Sequence, residues 1–393
     1  MISIAEAQAR IFALKSPVSN EKVSLLEASG RWAAGDVLAL RTQPARDLSA
    51  MDGSAVRFAD GGGPWRVIGE SAAGKRFAGS VGACEAVRIF TGAVVPDGAD
   101  CVVIQENIAR EGDTMTLTRN ALLKIGQNIR REGSDFRRGA TLISKGAELH
   151  ARHVALAAMA GHGALAVRRR LKVAVVSTGD ELVAPGEACA EDQLPSSNDV
   201  MLAAMLRDLP VDVTVVPAVA DDLDTLTAQF AALVDQDIIV TTGGASVGDH
   251  DLIVPALQAA GGKIDFWKIA MRPGKPVIAG TISETVLLGL PGNPVSAYVT
   301  AVLFLLPLIR HLGGATQPLP KRLTAILGED LPANGVRTDH LRASVVDGLI
   351  VPIGANDSAM LAALSISNAL IIREIDSAAV AKGAEVPYYA LPN

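Results

Sequence analysis

The sequence predicts a multidomain protein of α/β plus β class, with a central α/β domain whose mostly parallel sheet is flanked by helices, a β-rich insertion domain before it and a C-terminal β domain after it. Three observations predict this. The 393 residues are too many for one ordinary domain. From about residue 171 to residue 317, apolar runs alternate with helical stretches, the pattern of a parallel sheet with crossover helices. On either side of that region, short β-type runs are separated by glycine and proline.

Each element follows in order. The opening MISIAEAQARIFALKS alternates apolar and polar positions at helical spacing and lacks the continuous apolar stretch of a secretory signal, so it reads as an amphipathic helix. From about 36 to 139, runs such as PWRVIGE, EAVRIF and ADCVVIQENIA show little helical periodicity and define the β insertion. The run ARHVALAAMAGHGALAV has helical spacing, and the basic triplet Arg168, Arg169 and Arg170 after it reads as a domain junction. A new domain starts near Leu171 with KVAVVST, followed by VDVTVVPAVA, QDIIVTTGG and ETVLLGLPG. The apolar segment 297–309 is too short to span a bilayer and is interrupted by Pro307, so it reads as a buried core helix. After the proline-rich QPLPK the chain returns to short strands, RLTAILG, HLRASVV and ALIIREI.

A net charge of -6 and a modest charged fraction give no electrostatic footing for duplex nucleic acid. Cys84, Cys101 and Cys189 are widely spaced and odd in number, which indicates neither a disulfide framework nor a cysteine metal site. The expectation is a cytoplasmic protein without nucleic-acid or membrane partners.

In a parallel α/β sheet, ligands bind beyond the carboxyl ends of the strands, where loops expose backbone N–H groups. Three such ends carry unusual loops. In STGDEL, Gly179 permits a tight turn and Asp180 and Glu181 place carboxylates at the strand tip; an N-cap with a first-turn acid fits the same residues. TTGGASVGDHD joins Gly243, Gly244 and Gly248 with Thr241, Thr242 and Ser246, followed by Asp249 and Asp251. Amides and hydroxyls there suit phosphate oxygens and the acids suit a bridging Mg²⁺, although a flexible turn with a capping Asp reads equally well. GLPGNPVSAYV sets Pro291, Gly292, Asn293 and Pro294 before a long apolar helix with Ser296 in its first turn, which also describes a well-capped core helix. Convergence of all three on one sheet edge is what would make them a site.

Between the second and third ends, FWKIAMRPGKPV brings Lys268, Arg272 and Lys275 around a Pro-Gly turn in a segment otherwise poor in charge, which favours neutralisation of an oxyanion over a solvated face. The amino-terminal part adds RDLSAMDGSA with Asp47, Ser49 and Asp52, FTGAVVPDGAD with Thr91, and NIRREGSDFRRG with Arg130, Arg131, Glu132 and Asp135. Met-Asp-Gly also reads as a hairpin turn, and spacing does not place these clusters together. His150 and His153 lie three apart and read as a surface pair rather than metal ligands. No Ser-His-acid set and no GxxxxGK[ST] loop occurs.

On these residues the sequence resembles the molybdopterin molybdenumtransferase family, known in bacteria as MoeA and in animals as the E domain of gephyrin. The resemblance covers nearly the whole chain through nine ordered landmarks: SAMDGSA, FTGA, ADCVVIQE, IRREGSD, STGDEL, TTGGASVGDHD, MRPGKP, LPGNPVSA and DSAML. It departs at Ser54, where the family usually has an aromatic residue, and at Ala362 and Ala363, where small hydroxylated residues are usual.

The resemblance implies an elongated homodimer of four-part protomers. Residues 20–44 and 136–170 would form a small connecting domain, 45–135 the β-rich insertion, 1–19 and 171–317 the α/β molybdopterin-binding domain, and 318–393 the C-terminal β domain. It further implies that molybdate cleaves adenylyl-molybdopterin with Mg²⁺ help, giving the molybdenum cofactor and AMP. A molybdopterin adenylyltransferase would act upstream. By motif match, Glu181, Asp249 and Asp251 would hold metal, with Asp221 a further acid. Lys268, Arg272, Lys275, Arg342 and Ser358 would hold anions including molybdate. Thr178, Gly179, Gly243, Gly244, Ser246 and Gly248 would bind the substrate from the first two ends, and Pro291, Gly292, Asn293 and Ser296 from the third. Asp52, Thr91 and Asp135 would arrive from the other subunit. The competing readings are a molybdopterin adenylyltransferase, which the extra β domains oppose, and a non-enzymatic scaffold, for which a fused module or disordered linker would be expected.

Overall fold

The computed structural model describes residues 1–118, 122–244, 252–354 and 357–392. The chain begins with helix α1 (Ile4–Ala13), capped by Ser3, whose hydroxyl accepts from the Glu6 N–H at 3.1 Å. Its apolar stripe, Ala7 and Ile11, is fully buried, while Gln8 donates to the Leu303 carbonyl and Arg10 pairs with Asp265 at 2.8 Å. The amphipathic first helix therefore packs on the α/β unit, through bonds to residues more than 250 positions away.

The central sheet has six strands: β1 (Leu171–Thr178), β2 (Val211–Val219), β3 (Ile238–Thr242), β4 (Lys263–Trp267), β5 (Ile278–Ile282) and β6 (Thr285–Leu290). They lie in the order β2-β1-β3-β6-β5-β4. The β2-β1, β1-β3 and β3-β6 pairings are parallel, whereas β6-β5 and β5-β4 are antiparallel. Both faces are covered, as near-continuous apolar strands require. Val173, Val175, Ile238 and Val240 pack into one core with helix α2 (Asn198–Leu206); Ala174, Val176 and Ile239 turn to the other face, against helices α3 (Leu223–Ala232) and α4 (Ile253–Ala259).

After β6 the chain enters helix α5 (Pro294–Thr300), which runs through a π-helical turn, Ala301–Leu305, into Leu306–Leu312. The sequence reading had Pro307 interrupting this helix, and the structure corrects it. In the widened turn the i→i−4 ladder is already broken, so a residue without an N–H continues the helix. The Pro294–Leu312 helix is apolar enough to cross a membrane, but 83% of its most apolar window is buried inside the protein.

A second correction concerns 151–167. The helix covers only Ala151–Met159; Gly161 has a φ of 100°, which ends the helix, and Ala164–Arg168 is a strand paired antiparallel with Asn20–Ser24. The insertion contains a six-stranded sheet formed by Gly53–Val56, Trp65–Ser71, Glu85–Ile89, Cys101–Ile104, Ile108–Glu111 and Thr114–Leu117. The C-terminal sheet includes Arg322–Leu327, Thr338–Val346, Ala369–Arg373 and Glu385–Ala390. Between β4 and β5, Met271–Arg272 leaves the central sheet and pairs with Thr338 and Asp339, stitching the C-terminal sheet to the α/β unit.

Candidate functional site

Strand order reverses between β1 and β3, the place where a crevice opens in an α/β sheet. The pairings Ser177↔Thr242 and Thr242↔Leu290 put the ends of β1, β3 and β6 side by side. Close approach of backbone holds them there. A methyl group on Gly243, whose φ is 94°, would sit 2.3 Å from the Thr178 carbonyl oxygen, and one on Gly292 would lie 3.5 Å from the Gly243 Cα. The three strand ends thus form one rim, with Thr178, Gly179, Gly243, Gly244, Pro291, Gly292 and Asn293 along it. Ser296 lies just behind, buried in the first turn of α5.

The β1 end carries exposed carboxylates. No helix follows Glu181; Leu182–Val183 pairs instead with Leu194–Pro195, so the alternative of an N-cap with a first-turn acid does not hold. Glu181 folds its carboxylate back over Gly179, within 2.5 Å of where a Cβ would be. Asp180 accepts from the Asp221 N–H at 3.1 Å, which brings the end of β2 to the same corner. Ser246, Gly248, Asp249 and Asp251 lie outside the described residues.

Beside the rim is a cleft of about 370 Å³ between the start of α5 and the C-terminal sheet, with Arg272, Val295, Arg342 and Ser358 among its walls. Asn293 Nδ2 donates to Ser358 Oγ at 2.9 Å, and the Val295 N–H to the Ser358 carbonyl at 3.1 Å, so the cleft opens where the third loop ends. Arg342 is buried, donating to the carbonyls of Met360 and Asp357; burial lowers its pKa from the ordinary value while Asp357 raises it. Arg272 is ion-paired with buried Asp339 yet remains more than half exposed. Lys268 has a φ of 143°, a conformation L residues rarely adopt, and its ammonium lies 5.1 Å from the Trp267 ring centroid. Lys275 is exposed, and its carbonyl accepts from the Ile269 N–H to close the loop.

The amino-terminal clusters, which spacing could not place together, meet in the insertion. Leu48–Ser49 pairs with Ile129–Arg130 on one side and bonds Gly92 and Ala93 on the other. Asp52 Oδ1 accepts from the Thr91 N–H at 2.7 Å and from its hydroxyl at 2.8 Å; these two bonds hold the Asp52 carboxyl below its ordinary pKa. Asp135 is exposed, with its N–H bonded to the Gln43 carbonyl. Met-Asp-Gly is not a hairpin turn: Gly53 opens a strand, and a side chain there would strike the Val103 carbonyl at 1.8 Å. Among the described residues, Asp52, Thr91 and Asp135 bond to groups of the amino-terminal part.

His150 and His153 are a helix start rather than a free pair, the His150 N–H donating to His153 Nδ1 at 3.1 Å. Sequence reasoning passed over SSND, 196–199, because it reads as ordinary capping residues. In the structure Asn198 opens α2 and donates from Nδ2 to the Gly292 carbonyl at 2.7 Å, on the rim.

Three family models match the chain in succession: "MoeA N-terminal region (domain I and II)" over residues 2–161, "Probable molybdopterin binding domain" over 174–311 and "MoeA C-terminal region (domain IV)" over 324–391. A molybdopterin molybdenumtransferase of Haemophilus influenzae is 35% identical over 399 residues, with 98% of each chain covered. One from Staphylococcus aureus is 31% identical, covering 94% of this chain and 91% of its own. A solved structure of a molybdopterin biosynthesis MoeA protein from Pyrococcus horikoshii superposes with a TM-score of 0.84 at 28% identity, covering both chains completely.

Proposed function

The chain belongs to the molybdopterin molybdenumtransferase family of molybdenum cofactor biosynthesis, and we propose that its sheet rim binds adenylyl-molybdopterin while the adjoining cleft receives molybdate. Molybdenum then enters the pterin and AMP leaves. The observation that carries this reading is the Asn293–Ser358 bond, because it joins the mouth of the cleft to the rim.

The chemistry follows from charge. Molybdate and a pyrophosphate linkage repel one another, so bringing them together takes cations and aligned donors. On the rim those donors are the N–H groups of the glycine turns at 243 and 292, the Gly179 N–H being taken up by the Val219 carbonyl. At the cleft, Arg272 and Arg342 offset the oxyanion charge, with the Ser358 hydroxyl as a neutral partner, and Lys268 and Lys275 add positive charge from the loop that carries Arg272. As in phosphoryl transfer, positioning and charge stabilisation suffice, and no protein nucleophile takes part.

The β1 end suits Mg²⁺. Among the described residues no cluster of three His, Cys, Asp or Glu side chains encloses a metal. Mg²⁺ prefers one or two carboxylates together with waters and substrate phosphates, and exposed Glu181 supplies such an oxygen donor. Glu181, with Asp249 and Asp251 of the second loop, would hold it, and Asp221 adds negative charge nearby. Bound there, the ion supplies Lewis-acid polarisation of the phosphoanhydride.

The working enzyme in this reading is a cytoplasmic homodimer in which the partner subunit's Asp52, Thr91 and Asp135 complete each site, supplied by a molybdopterin adenylyltransferase. The family resemblance supports that arrangement.

The test is molybdenum insertion from adenylyl-molybdopterin, followed with AMP release, across a molybdate series. Glu181→Ala lowers turnover by about a hundredfold at saturating molybdate. Lys275→Ala raises the molybdate needed for half-maximal rate. Undiminished turnover in Glu181→Ala removes the β1 end from the mechanism.

A further inference from the structure

Three polar atoms around the rim have no hydrogen-bond partner among the described residues: Thr178 Oγ1, Ser196 Oγ and Asn198 Oδ1. Thr178 and Ser196 are each only 3% exposed. Folded proteins pair nearly all such groups, so three orphans in one neighbourhood among the described residues point to the polar groups of a ligand.

Their placement follows from contacts already described. Asn198 bonds Gly292, Gly292 packs on Gly243, and Gly243 packs on Thr178, with its absent Cβ 2.8 Å from Thr178 Oγ1. Ser196 is anchored through its N–H to the Val183 carbonyl at 2.8 Å, in the short strand pair that springs from the β1 end. The Gly292 carbonyl accepts only, so it fixes the Asn198 carboxamide with Nδ2 toward itself and leaves Oδ1 as an acceptor.

An acceptor is wrong for phosphate and for molybdate, which offer ionised oxygens. It needs an N–H or O–H. The ribose hydroxyls of an adenylate both donate and accept, and its adenine amine is a donor flanked by ring acceptors rather than by a second donor. The amino-pyrimidinone edge of a pterin presents an exocyclic amine and a ring N–H side by side, and these only donate. We propose that Asn198 Oδ1, assisted by the Ser196 hydroxyl, recognises the N–H edge of the pterin, making these two residues specificity determinants of the rim. This rests on the reading that the rim holds adenylyl-molybdopterin. A site built around such bonds discriminates strongly, because a ligand lacking the donors leaves the acceptors unpaired.

The experiment measures equilibrium binding of metal-free molybdopterin and, separately, of AMP to the full chain, with turnover of adenylyl-molybdopterin alongside. Asn198→Ala and Ser196→Ala each weaken molybdopterin binding and raise KM by roughly tenfold or more. Ser196→Ala leaves kcat at saturation and AMP affinity unaltered. Ser196→Ala removes a hydroxyl that bonds nothing among the described residues, so its thermal midpoint stays at the wild-type value and the outcome reports on the ligand. Unaltered molybdopterin affinity in both variants, or lost AMP affinity with pterin binding intact, overturns this assignment alone. A wild-type protein that binds AMP but no molybdopterin overturns the reading of the rim as well.

Discussion

Arg169 grips both oxygens of the Asp237 carboxylate, Nη1 at 2.7 Å from Oδ2 and Nη2 at 2.8 Å from Oδ1. Lys15 Nζ adds a bond at 3.0 Å and the Lys172 N–H another at 3.0 Å. Asp237 is 3% exposed and precedes β3, at the end of the sheet opposite the rim. The cluster ties the tail of the first helix and the basic junction to the α/β sheet.

The pH dependence of stability follows from this cluster. Burial alone would raise the Asp237 pKa, but the bonds from Arg169, Lys172 and Lys15 outweigh it and bring the value to about 2. A carboxyl with a depressed folded pKa contributes stability above its unfolded pKa and loses that contribution as pH falls through the folded one. Asp237→Asn therefore costs about 2 kcal/mol at neutral pH. The deficit shrinks between about pH 4 and pH 2. Urea midpoints of both proteins across that range are the measurement, and a constant difference would refute the linkage.

Thiol reactivity separates the three cysteines. Cys84 and Cys189 are exposed, whereas Cys101 is buried in the insertion sheet and burial pushes its thiol up to about 12. Iodoacetamide at pH 8 modifies two thiols in the native protein and a third only after denaturation, as read by mass spectrometry.

The Asp52–Thr91 pair tests whether the site is shared. Asp52→Ala removes the acceptor of two Thr91 bonds and leaves the strand that starts at Gly53 intact. It lowers turnover by roughly tenfold or more while the protein stays folded. Mixing the impaired Asp52→Ala chains with the impaired Glu181→Ala chains raises activity above that of either variant alone if each site draws on both subunits. Folded mixed dimers without that gain would show that the sites are not shared.

Gly243→Ala probes the rim itself. The substitution places a methyl group against the Thr178 carbonyl at a φ of 94°, so it destabilises by more than about 1 kcal/mol and displaces the β1 end from the β3 end. Loss of AMP binding before loss of overall fold is the expected order, measured by calorimetry against thermal melting.

Much of the fold was legible because strands and helices write their burial into local periodicity. KVAVVST, QDIIVTTGG and ETVLLGLPG each carry a continuous apolar run, and each became a strand buried on both faces. The misreadings came where a local signal was overruled by its neighbours. Gly161 stopped a helix that apolar spacing would have continued, and a π turn carried a helix past Pro307. Asn198 escaped notice because its bond to Gly292 joins residues 94 apart.

The sequence by itself determined the class of fold, the three glycine-bearing strand ends and, through ordered motifs, the family. These depend on residue types at short spacing, which a chain displays before it folds. Only the tertiary structure decided that the three ends lie on one rim, that Ser358 reaches that rim through Asn293, and that Asp52 pairs with Thr91. Such contacts join residues 39 or more positions apart, and they form only once burial of the strands and helices between them has fixed where each loop must stand.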